Sequence, residues 1–489
     1  MERSLEEYVL SSILIQNAGD IMLKIKKQHL KRCIFTRRLF SVCFLFILFT
    51  SPLFVSAVFS QEVSSKQSRP KGEADVITGC TTILVGRQAT ADGSVMMAHN
   101  EDMGTLPGRL ICQQSQRPSQ EEVEINYVTL PQVEETYGYW ASGNSRSVAD
   151  SLYDGGWILC GMNTSGVSLG CNTMQTREEP IPRGKGILRY SIRQLVLERS
   201  RTALDAAHLV GTLIDAFGQS GSVVAYCIAD RDEAWLVETT NRQWVARRIP
   251  DDGFHVVANQ YTIETEWDMA SEGLVEYAIS QGWYDPSGGP FNFKMVYGDP
   301  DRMDRPGDTL REHQGRSMLQ EKIGAITVRD LLSVLSSPPV QNTGTQAFMV
   351  WHLRKNMPHE IGHLMWHGMC GANTSVAVPV YASSNGMPDA YTDALFEEDF
   401  ESAWWSFERL QKHLYPQIDT YAESFDDARK AMDAFQESIY KETADIESKA
   451  MGLWKRGDME KIRALLSHFT YDKMEDALEV ARKVYSSLK

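Results

Sequence analysis

The sequence predicts an α+β fold in which antiparallel sheets are layered with helices. Three observations carry that prediction. Short β-rich runs alternate with tight turn signals from Cys80 to about Val257, two helical periods occupy 187–200 and 202–217, and 395–489 reads as largely helical, with Lys and Glu at i,i+4 spacing. Hairpin spacing implies antiparallel pairing, and helices set between strands must cover a sheet face. With 489 residues, 43% apolar and 23% charged, the chain has material for a large core. That composition excludes disordered, collagen-like and coiled-coil chains.

In chain order, the first segment is a targeting signal. Lys24, Lys26, Lys27, Lys31, Arg32, Arg37 and Arg38 precede an apolar stretch from Leu39 to Phe59 that contains Pro52 and the small run Val55-Ser56-Ala57. A basic region, an apolar core and a small-residue end make a secretory signal over 1–60, and the protein is expected to be exported. The apolar run is also long enough to span a bilayer, so a membrane anchor before processing is the competing reading. Residues 61–79 are polar, with three basic and three acidic groups and no hydrophobic period, and read as a leader. The signal region holds eight of the 49 basic and four of the 64 acidic residues, leaving 41 against 60 in the body. Nucleic acid binding needs a basic face, so it is excluded as a main activity, and small molecules are the expected partners.

The first strand, Thr81–Gly86, meets the turn Ala91-Asp92-Gly93-Ser94, after which Ser94–His99 returns as a hairpin. Trp157–Met162, the turn Asn163-Thr164-Ser165-Gly166 and Val167–Asn172 repeat that pattern. Strands resume at 223–229, 234–238, 244–248 and 255–259, and 374–381 is again β-rich. The domain is bounded at 80–394, with the helical region 395–489 packed on it or serving as a homo-oligomer surface. Cys33 and Cys43 fall in the signal. If Cys80 is a free thiol, Cys112, Cys160, Cys171, Cys227 and Cys370 allow at most two disulfides, whose connectivity stays open.

Gly79-Cys80 carries the chemistry. Cutting that bond would leave Cys80 with a thiol nucleophile and a free α-amine, whose pKa of about 7.7–8.0 suits a base near neutrality. Gly79 leaves the scissile carbonyl unhindered, so the same thiol could release its own leader. By itself an internal Gly-Cys is no evidence, since buried structural cysteines are common.

The run from Cys80 through Asp92-Gly93-Ser94 and on to Ala98-His99-Asn100-Glu101-Asp102 resembles the start of the mature dipeptidases among the N-terminal-nucleophile cysteine hydrolases. Secernins are close to these, and bile-salt hydrolases and penicillin V acylases are more distant. The resemblance continues through Asn163–Ser168 with Asn172, Ala229–Thr239, Ala258-Asn259-Gln260 and Ser375–Tyr381. It implies a four-layer α/β/β/α fold, an exported and self-cleaved cysteine dipeptidase, and no cofactor. It further implies that Cys80 is the nucleophile and its amine the base, with Asp102 orienting the amine. Asn172 would donate to the oxyanion, and Asn259 would hold the amine or tetrahedral intermediate. An arginine completes the set, matched to Arg316 with Arg311 as the alternative. His99 stands where relatives often carry Arg or Lys, and at an ordinary pKa near 6.5 it would be charged only part of the time.

Read singly, Asp102 could cap a turn, and Asn172 and Asn259 could satisfy backbone at strand ends. An amidase or acyltransferase would use the same residues. Pro358-His359-Glu360-Ile361-Gly362-His363 holds a zinc-peptidase pattern in which His359 and His363 bind metal on one helical face and Glu360 acts as base. Gly362 and Pro358 leave that helix short and poor, so no metal is expected there. An inactive binding module is the third class.

Overall fold

The computed structural model describes residues 79–488, apart from Thr105, residues 153–156 and Arg183. The expected targeting segment and residues 61–78 of the leader lie outside the described residues. No described helix is long and apolar enough to cross a membrane.

Thr81–Val85 (β1) and Val95–Asp102 (β2) form an antiparallel hairpin in which Thr82 lies opposite His99 and Leu84 opposite Met97. Both strands are nearly continuous runs of buried residues, so both faces are covered. Ile83, Val85, Met96 and Ala98 face one core, while Leu84 and Met97 face another.

Those cores define the layers. One sheet has six antiparallel strands in the spatial order Phe254–Val257, β1, β2, Thr345–Leu353, His363–Met369 and Val378–Tyr381. The other has eight, in the order Met269–Ala270, Trp244–Arg248, Ala234–Thr239, Val224–Ala229, Ser168–Thr173, Ile158–Asn163, Tyr139–Asn144 and Gly108–Gln113. Leu84, Met97, Met349 and Trp351 of the first sheet meet Trp140, Met162, Ala225 and Cys227 of the second, so the sheets pack face to face. The outer face of the larger sheet is covered by the helices Arg189–Arg199 and Ala203–Phe217. On the outer face of the smaller sheet, Leu319, Leu331 and Leu335 contribute from Pro306–Leu319 and Val328–Leu335, and Ile439 and Leu466 from the long helices Phe425–Trp454 and Met459–Ser487. The fold is therefore four-layered, α/β/β/α. Full burial of side chains such as Ile439 or Leu466 is worth about 1.5–3 kcal/mol each, which is why the helical end docks on the sheet.

Local chemistry explains several boundaries. Helix 203–217 begins at Thr202, whose hydroxyl accepts from the Asp205 N–H while the Asp205 carboxylate accepts from the Thr202 N–H. The predicted helix at 187–200 is shorter than expected, because Ile187–Leu188 pairs with Gln219–Ser220 before the first turn at Arg189. The helical region starts at Ala403, capped by Ser402, and breaks between 414 and 425. All six described cysteines are free thiols, so none of the two allowed disulfides forms among them.

Gly211 sits mid-helix against the Trp244 indole, which is itself held by a hydrogen bond from Nε1 to Asp215 Oδ1 at 2.9 Å. A Cβ at 211 would lie 2.3 Å from Trp244 Cζ2, whereas one on Gly452 would meet nothing closer than 3.9 Å. Chemical unfolding should show Gly211→Ala destabilised by about 1–3 kcal/mol and Gly452→Ala stabilised by about 0.5–1 kcal/mol. Equal and opposite-to-expected changes at the two sites would contradict this packing.

Candidate active site

The hairpin register builds the site. With Thr82 opposite His99, Cys80 falls opposite Glu101 at the open end, and all four side chains point between the sheets with Leu84 and Met97. Cys80 is 6% exposed, and its Sγ lies 3.5 Å from Glu101 Oε1 and accepts the Asp102 backbone N–H at 3.4 Å. His99 is fully buried, with Nδ1 2.8 Å from Thr82 Oγ1 and Nε2 3.2 Å from Glu101 Oε2.

Asp102 ends β2 beside a register shift between Thr345 and Ala347 on the neighbouring strand. The bulge turns Thr345 toward it, so Thr345 Oγ1 donates to Oδ1 at 2.7 Å and Asn342 Nδ2 to Oδ2 at 2.5 Å. Across the sulfur lies Arg311, completely buried on helix 306–319. Its Nη1 donates to the carbonyl of Gly79 at 2.5 Å, to the Cys80 carbonyl and to Thr81 Oγ1 at 3.0 Å. Its Nη2 donates to Asn259 Oδ1 at 2.8 Å and pairs with Asp308 at 2.6 Å. Asn259 Nδ2 is anchored on the Thr173 carbonyl at 2.9 Å. Gly79 adopts φ +140°, and a Cβ there would stand 2.1 Å from Asn259 Oδ1, so the residue before Cys80 has to be glycine.

Burial, followed by the Glu101 and Asp102 carboxylates, pushes the Cys80 thiol well above its ordinary pKa, and the Asp102 N–H and Arg311 pull the other way. Burial also raises Asp102, to about 7, despite the Thr345 hydrogen bond, the Arg311 charge and the Asn342 hydrogen bond. For Glu101, burial is outweighed by the hydrogen bond and charge of His99 and the charge of Arg193, which hold it below the usual carboxylate range. The thiol is thus held in its weakly nucleophilic protonated form.

Of the residues singled out in the sequence, Cys80, Asp102 and Asn259 come together, and Arg311 joins them. Arg316 does not. Five residues along a helix turn a side chain by about 140°, and Arg316 is exposed while Asp308, Arg311, Gly315 and Leu319 form the buried face. Asn172 lies one rung further in, accepting from Thr82 Oγ1 at 2.5 Å and donating from Nδ2 to the Val257 carbonyl at 3.2 Å. One amide N–H and its carbonyl are therefore spent in joining the sheets. Glu101, Thr82, Asp308, Asn342 and Thr345 were not singled out. The hairpin register would have identified Glu101 and Thr82, but the other three depend on contacts remote in sequence.

The His359-to-His363 pattern does not form a helical metal face. Its helix is His359–Gly362, and His363 already belongs to the strand His363–Met369. The rings meet at 3.2 Å through their Nδ1 atoms, and burial holds His363 down near 3 and His367 near 4.

A model of peptidase family C69 matches residues 79–323 and 333–431. The chain is 25% identical over 411 residues to a protein from Latilactobacillus sakei named probable dipeptidase, covering 73% of this chain and 85% of that one. A probable dipeptidase B from Lactococcus lactis subsp. lactis is 26% identical over 386 residues, covering 67% and 79%. Among solved structures, penicillin V acylase from Agrobacterium tumefaciens aligns at 14% identity and a TM-score of 0.37, covering 62% of this chain and 85% of that one.

Arg311→Met would leave Asp308 buried beside only Arg305 and should cost about 3 kcal/mol in urea unfolding. Arg316→Met should stay within about 0.5 kcal/mol of the parent. Comparable losses in the two variants would contradict the buried role of Arg311.

Proposed function

The chain belongs to peptidase family C69, and on that premise we propose that it is a cysteine dipeptidase that frees its own nucleophile by cleavage before Cys80. The observation that carries this reading is the Gly79 carbonyl, held by Arg311 in a cradle with Asn259 that admits no Cβ, next to the Cys80 sulfur. The start of the family match at residue 79 supports the same boundary. The basic and apolar stretch before residue 60 supports export of the precursor.

In self-cleavage, Sγ adds to the Gly79 carbonyl carbon and Arg311 Nη1 stabilises the charge developing on oxygen. The Cys80 nitrogen leaves as the amine, taking the thiol proton, and a thioester remains. Water adds to that thioester, releasing the leader with a Gly79 carboxylate and restoring the thiol. In turnover, the new α-amine takes the thiol proton, and the thiolate attacks the peptide carbonyl of a dipeptide. The leaving amine receives the proton, and water opens the acyl-enzyme. Asp102, fixed by Thr345 and Asn342, is placed to hold the amine, and Arg311 with Asn259 to hold the oxyanion.

Mass spectrometry of purified wild-type protein should show a chain beginning at Cys80. Gly79→Ala and Cys80→Ala should both keep residues 79 and 80 joined, and intact wild-type chain in active material would refute the scheme. Processed protein should release amino acids from dipeptides and leave N-acyl amino acids untouched. The reverse preference would make it an amidase built on the same residues.

A further inference from the structure

We propose that Cys80, His99 and Glu101 form a binding site for a zinc-class divalent cation, which holds the nucleophile in a reversible inactive form. The three side chains are buried, and one ligand atom from each lies within 4.8 Å of the others. No other group of three such side chains meets that condition among the described residues. Thiolate, imidazole and carboxylate are the donor set that tetrahedral zinc accepts, and bond lengths near 2.0–2.3 Å require ligands about 3.3–3.7 Å apart. Sulfur lies 3.5 Å from Glu101 Oε1 and His99 Nε2 lies 3.2 Å from Glu101 Oε2, so the two oxygens of one carboxylate face the other two ligands, and small side-chain rotations would bring one oxygen to both.

A hydrogen-bond chain prepares His99 for this role. Asn172 gives its N–H to the Val257 carbonyl, so its carbonyl oxygen faces Thr82 and takes the hydroxyl proton. With that proton spent, Thr82 Oγ1 can only accept from His99 Nδ1. That leaves Nε2 to meet the Glu101 carboxylate, which accepts from it at 3.2 Å, and this Nε2 proton is the one a cation would replace. A cation in its place would be coordinated by Nε2 and the carboxylate, and the Thr82 contact is the outer partner that metal-bound histidines usually have. The thiolate and the Glu101 and Asp102 carboxylates face the guanidinium groups of Arg193 and Arg311.

Binding is a proton exchange in which the Cys80 S–H proton and the His99 Nε2 proton leave to solvent and sulfur–metal and nitrogen–metal bonds form, with no change in oxidation state. After cleavage the α-amine would supply a fourth ligand and close a five-membered chelate with Sγ. That ligand rests on the function proposed above, whereas the three side chains do not.

Chelator-treated protein titrated with Co2+ as probe tests the site. Wild type should bind one equivalent and show thiolate-to-cobalt charge-transfer absorption in the near ultraviolet. Cys80→Ser should lose that band, and His99→Gln and Glu101→Gln should each weaken binding by about tenfold or more. Zn2+ should displace the cobalt and stop hydrolysis, with recovery in chelator. Absence of the band in wild type overturns the site whatever the variants do, as does unchanged affinity in both His99→Gln and Glu101→Gln. Dipeptide hydrolysis without cobalt binding sinks the site alone. Cobalt binding by a protein whose chelator-treated, metal-free form hydrolyses no dipeptide supports the site and sinks the dipeptidase reading.

Discussion

Everything around the candidate site follows from one register, the antiparallel pairing of β1 with β2 that sets Thr82 opposite His99. Side chains alternate along a strand, so this single choice sends Cys80, Thr82, Glu101 and His99 between the sheets and Ile83, Val85, Met96 and Ala98 toward the helices. A slip of one residue would exchange the two sets, burying polar groups under the helices and leaving the sulfur without Glu101. The apolar cores on both faces oppose any such slip.

The price of that placement is electrostatic. A thiol and two carboxylates share one enclosed end of a sheet, and burial disfavours the charged form of each. Arg311 offsets part of this from one side, tied to Asp308 and Asn259 and to the backbone before β1. His99 and Arg193 offset it from the other. The arrangement suppresses the Cys80 thiolate.

Much of the fold was legible. The hairpins at 81–102 and 158–173 and the helix at 203–217 carry strong local signals, namely turn residues, alternation and a capping box. The strands Gly108–Gln113, Tyr139–Asn144 and Thr345–Leu353 were not identified, since no tight two-residue turn marks them and the connections to their partners are longer. The His359-to-His363 pattern shows the opposite case, a familiar spacing that the fold divides between a four-residue helix and a strand. Choosing between Arg311 and Arg316 required knowing which face of the 306–319 helix is buried, and a helix of mixed polarity does not announce that.

By itself the sequence determined the local facts: a cysteine preceded by glycine, a hairpin that returns a polar run beside it, and helices with their caps. These are properties of neighbouring residues, set by backbone sterics and short-range hydrogen bonds. Only the tertiary structure decided which side chains meet the sulfur, because Arg311, Asn259, Asn342 and Thr345 reach it through contacts more than 150 residues away in the chain. Their approach is fixed by how two sheets and a helix pack, and that depends on the whole core.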